Sequence, residues 1–267
     1  MDLKRILTTL LGLPAVIALC LFGNEYVMAG VIFTVSCICM HEYFGVVKKV
    51  SKPIEWVAYL SNIFILWAAM FEFSKLSKII ILAIPFIILI LFMQVIFTNM
   101  KTTFKDVAYT LLGIMYIPFF LMFLEQIRCM EHGKILIGYT LVVSWSTDIA
   151  AYLIGRKFGK HKLSKISPKK SVEGSVAGII GAVVMAILYT LLVKKLWNVE
   201  YSYVLISIIS FILSIVSQIG DFVASSIKRF VDVKDYGTIL PGHGGMLDRI
   251  DSLLFLAPFT YLIFMFI

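Results

Sequence analysis

Long apolar runs separated by short polar stretches dominate the chain, in place of the alternation that marks a half-buried strand or a surface helix. Nine runs stand out, at 6–22, 26–46, 54–73, 79–98, 107–126, 135–155, 175–193, 202–223 and 250–267. Each approaches the roughly 20 apolar residues that a helix needs to cross a bilayer. The pattern predicts an all-α integral membrane protein with about nine transmembrane helices. The first run follows Lys4 and Arg5 but shows no small-x-small cleavage site, and Leu19 spoils a lipobox ending at Cys20. It is read as a retained helix. No internal repeat or low-complexity linker divides the chain.

Composition sharpens this. Hydrophobic residues make up 60% and charged residues 15%, against about 45–50% and about 25% in soluble domains. The net charge of +8 does not point to nucleic acid, which requires a solvated basic face. Cys20, Cys37, Cys39 and Cys129 have no zinc or disulfide spacing and read as small buried apolar residues. Eighteen Lys and Arg fall on the N-terminus and alternate loops, against six on the other side. That excess places the N-terminus and those loops in the cytoplasm. It comes mainly from two long polar loops, 155–174 and 228–249, which therefore share a side. Residues 1–130 are then read as scaffold helices. Residues 131–267 are the catalytic region, its active site at the cytoplasmic face.

Charge inside apolar runs is costly and marks function or pairing. Ser144, Asp148, Tyr152 and Arg156 share one helical face, as do Asp221, Ser225 and Lys228. Asp248 and Asp251 lie three apart at the start of the last run. Taken singly, Asp221 could bridge to Lys228, and Asp248 and Asp251 could cap a helix. Together with two basic loops, they suit Mg2+ and phosphate: Mg2+ takes one or two carboxylates plus substrate phosphates. Lys169 and Lys170 follow Pro168, in a loop that also carries Arg156 and Lys160. Gly242, Gly244 and Gly245 flank His243, and glycine lets backbone N–H groups approach an anion closely. Glu42, ending the second run, either lines the cavity or is interfacial, and its position favours the second.

The stretch "SSIKRFVDVKDYGTILPGHGGMLDRID", Ser225 to Asp251, resembles the signature of the phosphatidate cytidylyltransferases (CDP-diacylglycerol synthases). The match runs through Ser225, Lys228, Arg229, Lys234, Asp235, Gly237, Leu240, Pro241, His243, Gly244, Gly245, Asp248, Arg249 and Asp251. A second block, "DIAAYLIGRKFGKHKLSKISPKKSVEG" from Asp148 to Gly174, resembles the family's upstream region. The two cover roughly the C-terminal half. The resemblance implies that CTP and phosphatidic acid give CDP-diacylglycerol and pyrophosphate with Mg2+. It also implies a homodimer and a two-cation centre, Mg2+ with K+, on Asp221 and Asp248. Asp148 and Asp251 would support that centre. Arg156, Lys169, Lys170, Ser171, Lys228, Arg229, Lys234 and Asp235 would meet the phosphates of CTP or phosphatidate. His243, Gly244 and Gly245 would shape the nucleotide or pyrophosphate cradle. Arg249 would contact phosphate or pair with a neighbouring aspartate. The alternatives are another CDP-lipid enzyme or a cation transporter. The first, a CDP-alcohol phosphotransferase, requires aspartates four apart where Asp248 and Asp251 are three apart. The second would put Asp148 and Asp221 in mid-span and has no need of the two basic loops.

Overall fold

The computed structural model describes residues 3–71, 73–164, 166–239, 242 and 244–267, leaving out the side chains of 3–11, 13, 73 and 74. His243, with Leu240, Pro241 and Lys165, lies outside the described residues. The described chain is helical: α1 (Leu3–Phe22), α2 (Glu25–Val47), α3 (Glu55–Ala68), α4 (Phe73–Phe97), α5 (Phe104–Tyr116), α6 (Pro118–Cys129), α7 (Gly133–Phe158), α8 (Val172–Trp197), α9 (Tyr203–Phe230) and α10 (Leu247–Met265). No strand occurs among the described residues.

Among the described residues six segments are long and apolar enough to cross a membrane: Glu25–Val47, Lys75–Phe97, Phe104–Cys129, Gly133–Phe158, Val172–Trp197 and Tyr203–Phe230. This is the architecture of a multi-pass membrane protein. The third apolar run gives a helix of only 14 residues, about 21 Å long at 1.5 Å per residue, short of a hydrocarbon core about 30 Å thick. The fifth run is continuous in hydropathy but breaks into α5 and α6 at Ile117. Pro118 has no N–H to continue α5 and a φ suited to starting a helix, and it sits in the first turn of α6.

The chain divides into two compact units. The first comprises Met1–Glu131 and Phe230–Ile250. Here α2 packs against α3, α5 and α6 around Met40, Tyr43, Phe44, Ile65, Ile114, Ile117 and Leu121. Most buried polar groups in proteins find a partner, and here Ser36 donates to Asn62 Oδ1 at 2.7 Å. Thr103 and Asp106 form a capping box that starts α5.

The second unit comprises His132–Arg229 and Asp251–Ile267. Its dominant feature is the close packing of α7 along α8. Gly174, Gly178, Ala182 and Ala186 recur every fourth residue on the buried face of α8. With little hydrophobic drive between helices in lipid, small residues let backbones approach and gain dispersion contacts. A Cβ on Gly178 would lie 2.9 Å from the carbonyl oxygen of Thr147, so the approach excludes side chains. A polar seam joins α7 to α9, with Tyr139 Oη and Ser210 Oγ 2.7 Å apart and Thr147 donating to Ser214 at 3.0 Å.

Candidate functional site

The second unit carries a cluster of candidate residues where the seam on α9 ends at Asp221. One turn on, the Ser225 hydroxyl donates to Asp221 Oδ1 at 3.3 Å. Asp221 Oδ2 forms an ion pair with Lys170. The sequence had offered Lys228, on the same helix, as the structural partner; the observed partner Lys170 comes from the loop between α7 and α8. Lys170 Nζ also lies 4.4 Å from the ring centroid of Phe222, a cation–π arrangement.

The loop is held in a fixed conformation by its own hydrogen bonds. Leu163 N donates to Lys170 O at 2.9 Å and Val172 N to His161 O at 2.9 Å. Ser171 caps α8, its hydroxyl accepting from Gly174 N at 3.1 Å. Glu173, in the first turn of α8, reaches back: Lys160 N donates to Oε2 at 3.1 Å, and His161 Nδ1 lies 2.6 Å from Oε1. Glu173 stands within the matching "SVEG", where residue identity alone showed no role for it. Lys169 and Arg156 point outward, Arg156 donating to Tyr152 Oη at 3.1 Å. That is the i, i+4 neighbour which the helical face predicted.

Asp251 is buried, 9% exposed, and accepts from Ser252 N at 2.8 Å. The charges that act on it are those of Asp221, Lys228 and Asp148. The three carboxylates picked out in this half therefore share one electrostatic neighbourhood. Lys228 is buried, 8% exposed, on the same face, where an ammonium persists only with compensating charge or hydrogen bonds. Gly220 permits α9 to meet α10 here, since a Cβ would stand 2.9 Å from Asp251 O. Arg229 is exposed.

The first unit carries its own cluster of candidate residues in 230–250. Asp248 Oδ2 accepts from Tyr236 N at 2.8 Å and from Gly245 N at 3.0 Å. Two amides thus fix the orientation of this carboxylate. Gly244 has φ +82°, a left-handed conformation that glycine adopts without strain. Lys234, Asp235 and Arg249 are exposed around this turn.

Glu42 requires a correction. It is buried, 4% exposed, where the sequence suggested an interfacial residue. From α2 it accepts Met246 N on Oε1 at 2.9 Å and Leu247 N on Oε2 at 2.8 Å. These amides open α10, where N–H groups lack helical partners and the helix dipole favours negative charge. A Cβ on Gly245 would come within 2.6 Å of Glu42 Oε2. Gly245 does lie against an anion, then, and that anion is the protein's own carboxylate.

Asp221 suits a cation, since an ammonium already neutralises it and its side chain is 26% exposed. Among the described residues no three His, Cys, Asp or Glu side chains converge on a metal-sized point.

Comparison with known proteins adds the last finding. A family model described as the cytidylyltransferase family matches residues 3–267. The phosphatidate cytidylyltransferase of Bacillus subtilis is 35% identical over 272 residues, 97% of each chain. That of Thermotoga maritima is 33% identical over 271 residues, 98% of this chain and 96% of the other. That of Staphylococcus haemolyticus is 32% identical over 263 residues, 95% of each.

Proposed function

The chain belongs to the cytidylyltransferase family, and we propose that it is a phosphatidate cytidylyltransferase: CTP and phosphatidate give CDP-diacylglycerol and pyrophosphate. The observation that carries the reading is similarity to enzymes of that name over nearly the whole of both chains.

The chemistry is a displacement at phosphorus. A phosphate oxygen of phosphatidate attacks the α-phosphorus of CTP. A new P–O bond forms, the bond from the α-phosphorus to the bridging oxygen breaks, and pyrophosphate leaves with that electron pair. A phosphomonoester has a second pKa of about 6, as in phosphoserine, so the nucleophile is already largely deprotonated at neutral pH. No strong general base is required. The barrier is electrostatic: two anions must meet while charge grows on the leaving group.

We assign Asp221 and Asp248 to Mg2+, with K+ as a second cation, and Asp148 and Asp251 to their support. Bound there, Mg2+ supplies a positive charge that stabilises the growing negative charge on phosphoryl oxygens. Lys169, Lys170, Ser171, Arg156, Lys228, Arg229, Lys234, Asp235, His243 and Arg249 are assigned to the phosphates. The ion pair between Lys170 and Asp221 supports Lys170 in this role. An ammonium already balancing the carboxylate can pass to an incoming phosphate and release the carboxylate to a metal. The distribution of Lys and Arg supports a cytoplasmic N-terminus, with the two basic loops on that side of the cell membrane. Residues 1–130 serve as scaffold and as the surface of a homodimer.

The test is transfer of label from cytidine-labelled CTP into lipid by the purified protein in detergent. Label should require phosphatidate, disappear with EDTA, return with Mg2+ and be lost in Asp221→Asn. Folded protein that transfers no label in several detergents would overturn the reading.

A further inference from the structure

We propose that Glu42 is a positioning residue for cytidylyl transfer: from α2 it holds the turn that carries Asp248. The inference rests on the cytidylyltransferase reading for the reaction, and on the geometry of the first unit for the contact.

Three successive amides open α10, and two carboxylates share them. Gly245 N donates to Asp248 Oδ2 at 3.0 Å, Met246 N to Glu42 Oε1 at 2.9 Å and Leu247 N to Glu42 Oε2 at 2.8 Å. Both Glu42 oxygens are engaged, so the side chain fixes position as well as charge. The backbone is shaped around it. A Cβ on Gly237 would fall 2.6 Å from Oε1, and one on Gly245 2.6 Å from Oε2. Gly237 and Gly245 therefore both close on the carboxylate, and both belong to the backbone that orients Asp248: Gly237 follows Tyr236, whose N donates to Asp248 Oδ2 at 2.8 Å, and Gly245 N is the second donor. A buried charge is retained only where such bonds compensate its desolvation. Glu42 touches no reacting atom in this scheme and acts through Asp248.

The experiment uses the full-length protein in detergent, as wild type, Glu42→Gln and Gly237→Ala. The last keeps the carboxylate and displaces it with a methyl group. Amide hydrogen exchange is followed across the chain, and turnover is measured against Mg2+ concentration. For both variants, exchange in a peptide covering 236–248 is expected to accelerate roughly tenfold, the size expected for losing one hydrogen bond to a charged group. Peptides from α7 and α8 keep their wild-type rates. Half-activating Mg2+ rises by about the same factor, and turnover at saturating Mg2+ changes far less. Unchanged exchange in 236–248, acceleration throughout the chain, or an unchanged Mg2+ requirement in active variants would overturn the proposal. A wild type that makes no CDP-lipid would instead overturn the enzymatic reading, leaving the exchange result to decide whether Glu42 holds the turn.

Discussion

Lys170 and Asp221 are joined in an ion pair in which both side chains keep partial solvent access, 28% and 26%. Pairs so exposed contribute about 0–1 kcal/mol to stability, and the contact of Lys170 with Phe222 adds about 0.5–1 kcal/mol. Such a contribution is too small to make Lys170 a structural requirement. Lys170→Met should therefore unfold within a few degrees of wild type while losing about 100-fold or more in turnover, the scale of one lost electrostatic contact to a transferring group. Thermal melting and steady-state CDP-lipid formation measure the two effects. A large fall in melting temperature with normal turnover in the folded fraction would reverse the assignment.

Asp248→Asn separates shape from charge. The amide oxygen of asparagine can still accept from Tyr236 N and Gly245 N, the two donors that orient the aspartate. Stability should stay within about 1 kcal/mol of wild type. Turnover should fall about 100-fold or more, and added Mg2+ should not restore it. The measurement is a Mg2+ titration of rate beside a denaturation curve.

The basic loop offers a proteolytic test. Glu173 holds Lys160 and His161 by their backbone amides and contacts the His161 ring at 2.6 Å. Glu173→Ala removes these acceptors and leaves the loop's lysines on a looser backbone. Trypsin cleavage at Lys160 and Lys162 should accelerate on the order of tenfold, because cleavage follows the population of the open form. Cleavage at the wild-type rate would mean that the remaining loop hydrogen bonds suffice.

Two glycines should respond in opposite directions. At Gly174 a Cβ would lie 2.7 Å from Ala151 O and 3.0 Å from Gly155 Cα. Both are backbone atoms that cannot turn aside, so Gly174→Ala should cost about 1–3 kcal/mol by overpacking. At Gly45, inside α2, nothing lies within 4 Å of the added methyl. Gly45→Ala should be neutral or stabilise by about 0.5–1 kcal/mol, since alanine loses less backbone freedom in a helix. Denaturation midpoints of the two variants compare them directly.

The sequence carried the membrane helices, because an apolar run long enough to cross a bilayer has few other uses. It misled at Ile117, where hydropathy continues although the helix stops; Pro118 was the visible sign. The carboxylates of the second unit were legible through helical spacing. Asp148 and Asp221 followed from what a charge costs inside an apolar segment, and their link with Asp251 appears in its electrostatic surroundings. Glu42 was not legible in the same way. Its partners are backbone amides at Met246 and Leu247, and an amide donor leaves no trace in residue identity. Gly237 and Gly245 were visible as glycines, but the anion they approach could not be named without coordinates. Glu173 was hidden for a similar reason, since two of its three partner groups are main-chain N–H groups.

The distance along the chain between Glu42 and its partners has a consequence for synthesis. Met246 and Leu247 follow Glu42 by 204 and 205 positions. At ribosomal speeds of about 5–20 residues per second, α2 is made roughly 10–40 s before the amides that satisfy its carboxylate. During that interval the nascent protein carries an acidic group with its final acceptors engaged by nothing from α10, so the N-terminal helices cannot reach their finished state alone. Completion of translation becomes a step in their maturation: a ribosome that stops short of Met246 leaves a product whose second helix keeps its carboxylate and lacks the two α10 amides that bind it.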